Sequence, residues 1–167
     1  MKKLITVLAI ALSASSACAD DDLYLYAGGF SKHFKDRKGN KDYNEIHNNI
    51  GLGYEASLDD VLGKEYYGGL NAQYMKNSVD NDSLLLTASL KRKWKLSLDS
   101  DIGLGMMVGA QTGYPKKGER GKGAFVPVAY PILEYNYQRF GVYGTCVPEV
   151  YSSGFCFAGF KVRVTPF

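Results

Sequence analysis

His33 stands next to last in the segment GGFSKHF, residues 28–34, and is one of only two histidines in a chain of 167 residues. Downstream lie the tripeptide Tyr43-Asn44-Glu45 and then Lys76-Asn77-Ser78. An imidazole beside a serine hydroxyl is the smallest set of groups that can move an acyl group. The ring nitrogen takes a proton from an attacking hydroxyl, and the developing charge is met by neighbouring polar groups. The second histidine, His47, shares a periodic face with Asn49 and reads as a buried, hydrogen-bonded group rather than a catalytic one. No His, Cys, Asp or Glu cluster has metal-ligand spacing, so neither a metal nor another cofactor is expected. Gly51-Leu52-Gly53 and Gly103-Leu104-Gly105 lie in strand-like segments with no helix after them, which removes the context a nucleotide loop needs.

These residues need a scaffold that brings them together, and the periodicity supplies one. In 102–112, Ile102, Leu104, Met106, Val108 and Ala110 share one face, while Gly103, Gly105, Met107, Gly109 and Gln111 share the other. Residues 46–56 split in the same way, with Ile46, Ile50, Leu52, Tyr54 and Ala56 opposing His47, Asn49, Gly51, Gly53 and Glu55. Eight such segments are expected, near 23–33, 46–57, 65–77, 83–95, 101–113, 125–136, 138–147 and 154–164. Turn-like stretches such as SLDDVLGK, SLDSD and YPKKGERGKG separate them. Eight strands of about ten residues match the smallest ordinary membrane barrel. In such an up-and-down barrel the end of strand one, the start of strand two and the end of strand three meet at one rim. That rim would carry His33, Tyr43-Asn44-Glu45 and Asn77-Ser78.

Alternation alone leaves inside and outside undecided. A secreted lipocalin-like barrel would turn the apolar face inward around a lipid, whereas a membrane barrel turns it outward. The polar faces are rich in Gly, Asn and Gln, which suits a crowded lumen better than a solvated exterior. The N-terminus reads as a secretory signal: Lys2 and Lys3, an apolar run from Leu4 to Leu12, and Ala17-Cys18-Ala19 before three aspartates. Residues 1–19 are therefore expected to be cleaved, leaving 20–167 as a single β-barrel domain whose formal charge falls from +3 to +1. So even a balance gives no footprint for a nucleic-acid partner. Cys146 and Cys156 flank the last hairpin and could face each other across it.

In order and spacing the chain resembles the lipid A palmitoyltransferases of the outer membrane. The resemblance is carried by an aromatic strand ending in His33, by Tyr43-Asn44-Glu45 ahead of the GLGY strand, and by Lys76-Asn77-Ser78 where the family has Lys-Asp-Ser. IGLGMMVGAQTG, VPVAYP with Pro127 and Pro131, and CVPEVYSSGFCFAGFKVRV with Pro148 extend it to the end of the chain. It implies an eight-stranded antiparallel up-and-down outer-membrane β-barrel, a monomer, that moves an acyl chain from a glycerophospholipid to lipid A or another lipid hydroxyl. His33 would be the catalytic histidine, a general base toward the acceptor hydroxyl, and Ser78 the catalytic serine. Asn77 takes the place of the family's aspartate, and Tyr43, Asn44 and Glu45 support the mouth. Ser89 falls at the position of the glycine that limits acyl-chain length, which implies chains shorter than palmitate. Pro127, Pro131 and Pro148 cannot donate to a ladder and would open lateral gaps for lipid. The alternative is a non-catalytic barrel that modifies or braces the envelope.

Overall fold

The computed structural model describes residues 21–34, 43–114, 124–148 and 154–165. The expected signal segment 1–19 and nearly all of YPKKGERGKG lie outside the described residues. Eight antiparallel strands close into one barrel in chain order. They are β1 (Asp22–His33), β2 (Ile50–Ser57), β3 (Tyr66–Lys76), β4 (Asp82–Lys95), β5 (Ser100–Tyr114), β6 (Ala124–Tyr137), β7 (Phe140–Val147) and β8 (Phe155–Arg163). Closure comes from β1 pairing with both β2 and β8. A single helical turn, α1 (Asp59–Leu62), fills the stretch read as a plain turn between β2 and β3.

The apolar faces point outward. Ile50 and Leu70 are each 63% exposed, and Leu104, Val108, Leu133 and Phe160 are about half exposed. Their alternates Asn49, Gln73, Gln111 and Glu134 are buried in the lumen. The alternating apolar faces read from the sequence are therefore the outer ones. Phe30, Tyr74 and Phe125 lie outside toward the end that carries His33, and Tyr54, Trp94, Tyr135 and Phe140 toward the other.

Two irregularities shape the His33 end. Along β1 the buried residues are first Tyr24 and Tyr26, then Ser31, so the inward phase changes from even to odd. Gly28 is the extra residue, with φ +63°, and the β1–β8 register shifts between Ala27 and Gly29. A one-residue bulge swaps the faces of everything beyond it. Without it, Phe30 and Lys32 would point into the lumen and Ser31 out. The second irregularity corrects the expected start of strand two, which is Ile50 rather than residue 46. Ile46 makes only an isolated bridge to Phe30, and residues 45–49 follow the bulged part of β1 through single bonds, Ser31 N to Glu45 O and His47 N to Gly29 O. A regular ladder cannot track a strand that has just gained a residue.

Cys146 and Cys156 are opposite one another in the β7–β8 ladder and form a disulfide. At the far end the lumen is closed by buried charge. Glu134 accepts from Lys91 and Lys161, each at 2.8 Å, while Glu55 pairs with Lys91 and Lys93. Lys161 and Lys93 also lie over the Tyr24 and Tyr67 rings, at 4.1 and 4.4 Å from their centres. Gly103 makes room for this cluster, since a Cβ there would lie 2.7 Å from Cγ of Glu134.

Candidate active site

Above the ionic cluster a layer of side-chain hydrogen bonds crosses the barrel. Asn49 Nδ2 donates to Gln73 Oε1 at 2.7 Å and to the Tyr143 hydroxyl at 3.0 Å, and that hydroxyl donates to the same Gln73 oxygen at 2.9 Å. Over this layer opens a cavity of about 680 Å³. Its walls are mainly apolar, with Met75, Leu85, Met107, Val128, Ile132 and Phe157 prominent. Volumes of a few hundred Å³ hold drug-sized or lipid-chain ligands.

The mouth brings together residues far apart in sequence. His33, Tyr43, Asn77 and Ser78 all line this one cavity. The His33 ring stacks on Tyr43, centres 3.9 Å apart and planes within 13°, and its Nδ1 is enclosed without a hydrogen-bond partner. Ser78 Oγ lies 3.1 Å from the Tyr114 hydroxyl, and no hydrogen bond joins it to His33. Asn77 is buried, and its Oδ1 accepts from the backbone N–H groups of Val79 and Asn81, both at 3.0 Å. Those two bonds fix the orientation of the amide and leave Nδ2 buried without a partner. Asn44 ties the mouth together: its N–H donates to the Ser78 carbonyl and its Nδ2 to that of Asn77. Glu45 sits outside the cavity, paired with Lys32 at 2.9 Å. The hydrogen bond from Lys32 holds its carboxyl below the usual range. So exposed a pair adds little to stability.

Ser89 does not line the cavity. It sits on the inner face between Thr87 and Lys91, opposite Gly69 and Met107. Gly105 and Gly109 serve close strand approach rather than cavity volume, because a Cβ on either would lie about 2 Å from a β4 carbonyl oxygen.

The wall is incomplete between β6 and β7. Their ladder runs from Tyr137↔Phe140 to Leu133↔Gly144 and stops, although β6 continues from Ile132 back to Val126 in register with β5. Pro127 and Pro131 fall within this unpaired length, opposite Ala110 and Met106 on the β5 side, and neither has an N–H to offer β7. Pro127 also lines the cavity; Pro131 faces outward, and Pro148 follows the end of β7. On the β7 side Thr145 Oγ1 is buried without a partner.

Sequence reasoning missed a second serine–histidine pair. Ser31 Oγ and His47 Nε2 are 2.8 Å apart, and His47 Nδ1 is 2.7 Å from the Lys76 carbonyl oxygen. Both side chains are 5% exposed and both line the cavity. A regular β1 would turn Ser31 outward, so the only signal available was the Gly28-Gly29 pair as a bulge. No protein-family model and no curated protein matches the chain.

Proposed function

We propose that this chain is exported to the outer membrane and there moves an acyl chain from a glycerophospholipid to lipid A or another lipid hydroxyl. The observation that carries the reading is the half-and-half lumen: a deep, apolar cavity with a polar mouth, set above a floor of hydrogen bonds and buried charge. A barrel that served only as an envelope brace would have no use for such a void, since unfilled space forfeits packing. The outward apolar belt supports membrane residence, being far larger than the patches soluble proteins leave in water. The two outer bands of aromatics fit interfaces on either side of a hydrocarbon layer.

In this reading the donor's acyl chain lies among Met75, Leu85 and Val128, having entered through the β6–β7 gap. Its ester reaches the mouth, where His33, held flat against Tyr43, positions the acceptor by a hydrogen bond to its head group. Asn77 and Ser78 meet the polar head groups. Removing one such bond costs about 1.5–3 kcal/mol, or roughly ten- to a hundredfold in rate.

Lipid extracts from Gram-negative cells producing the wild type, His33→Ala or Ser78→Ala test this. Mass spectrometry should show lipid A or a glycerophospholipid gaining one acyl chain in wild type, with the gain cut about tenfold or more in both variants. A folded wild-type barrel in the outer-membrane fraction with no acylated product would favour the non-catalytic alternative.

A further inference from the structure

We propose that Ser31 is a covalent nucleophile and His47 its base, so that transfer passes through an acyl-Ser31 ester. The proposal rests on the ester chemistry of the preceding reading and supplies its nucleophile. The protonation of His47 follows from its partners. A backbone carbonyl can only accept, so the nitrogen 2.7 Å from Lys76 O carries the hydrogen. In the neutral ring Nε2 is then an acceptor, and the hydroxyl 2.8 Å away must donate to it. A hydroxyl donating to an imidazole whose other nitrogen is fixed by a third group is the arrangement of an activated serine. Here a main-chain carbonyl takes the place usually given to a carboxylate.

The backbone fixes this geometry. Gly28 turns Ser31 inward, Ser31 N donates to Glu45 O, and His47 N donates to Gly29 O, so the two residues are tied across the β1–β2 seam. The Phe157 ring packs against His47 with centres 5.6 Å apart. The pair opens onto the apolar cavity, where an acyl chain would bring its ester carbonyl. Among cavity-lining groups, Asn77 Nδ2 and Thr145 Oγ1 are buried without partners. Each is a donor left without an acceptor, of the kind an oxyanion takes.

In the first step Ser31 Oγ bonds to the ester carbonyl carbon as its proton passes to His47 Nε2. The carbon–oxygen bond to glycerol then breaks, and His47 returns the proton to the departing oxygen. In the second step the acceptor hydroxyl gives its proton to His47 and bonds to the same carbon. The bond to Ser31 Oγ breaks, and that oxygen recovers a proton from His47. No other co-reactant is needed.

A fluorophosphonate tests the nucleophile without any lipid acceptor, since an activated serine forms an oxygen–phosphorus bond and releases fluoride. The full-length protein, purified from membranes in detergent, is treated with the probe and its peptides mapped by mass spectrometry. The label is expected on Ser31, absent from Ser31→Ala, and formed at least about 100-fold more slowly in His47→Gln. Lipid transfer should fall about 10³-fold or more in Ser31→Ala. Heat-shifted gel mobility confirms that each variant is folded, and glutamine at 47 retains hydrogen-bonding capacity. An unlabelled Ser31 in a folded wild-type barrel, a label on Ser78 instead, or full acyl transfer by Ser31→Ala overturns the proposal. The two readings fail separately. A labelled Ser31 with no acylated lipid supports the nucleophile and removes the acceptor, whereas acyl transfer that survives Ser31→Ala keeps the acceptor and removes the nucleophile.

Discussion

Glu134→Gln is expected to destabilise the barrel by about 3–5 kcal/mol, the cost of removing one partner from a buried ion cluster. Glu134 is 2% exposed and receives Lys91 and Lys161 at 2.8 Å, with Lys93 at 3.8 Å. Glutamine keeps the shape and leaves three ammonium groups to share Glu55. The neighbouring tyrosine rings can absorb only part of the excess, since a cation over a ring contributes about 0.5–2 kcal/mol. The measurement is the urea midpoint for unfolding from detergent micelles or vesicles, followed by heat-shifted mobility. A loss below about 1 kcal/mol would mean that water or counter-ions reach the cluster. Replacing the whole cluster by apolar residues of matching volume should recover most of the loss, because desolvation of the charges disappears with them.

On the proposed acyl transfer, Val128→Trp is expected to shorten the acyl chain that is moved. Val128 packs with Met75 and Leu85 in the cavity wall, with Tyr130 against them, and the cavity is large enough to receive an indole without moving the strands. If the ring displaces about four methylenes, the loss is roughly 3 kcal/mol at about 0.8 kcal/mol for each, or some 10²-fold for a sixteen-carbon chain. Shorter chains should be transferred nearly as before. Lipid mass spectrometry reads the length profile directly. The companion change Ser89→Gly should leave that profile unmoved, because Ser89 does not line the cavity. A profile that responds to Ser89 and ignores Val128 would move the chain's terminus out of this cavity.

Much of the architecture was legible because an up-and-down barrel writes itself in period two. All eight strands fall within a few residues of the alternating segments, and Ile50, Leu70 and Leu104 point away from Asn49, Gln73 and Gly105 as the pattern requires. What the pattern could not carry was phase. A single residue with positive φ, Gly28, decides whether Ser31 or Lys32 faces the lumen, and no count of apolar positions registers it. His47 was read as buried and hydrogen-bonded, which it is, but its partner lies on the neighbouring strand past that bulge. The floor was obscured for another reason. Glu55, Lys91, Lys93, Glu134 and Lys161 come from four strands, and each alone resembles an ordinary polar position. Only the closed ladder shows them compensating one another. Convergence of His33, Tyr43, Asn77 and Ser78 was legible from topology alone, since strand ends alternate between rims.

The most direct test of acyl transfer uses the purified full-length protein in vesicles that contain lipid A and a phosphatidylcholine isotopically labelled in its sn-1 chain. The account predicts label appearing in lipid A with an equal amount of lysophospholipid formed, and loss of both products in Ser31→Ala. A folded barrel that leaves all the label in the donor over many hours, with neither lipid A nor any other lipid hydroxyl acylated, would contradict it.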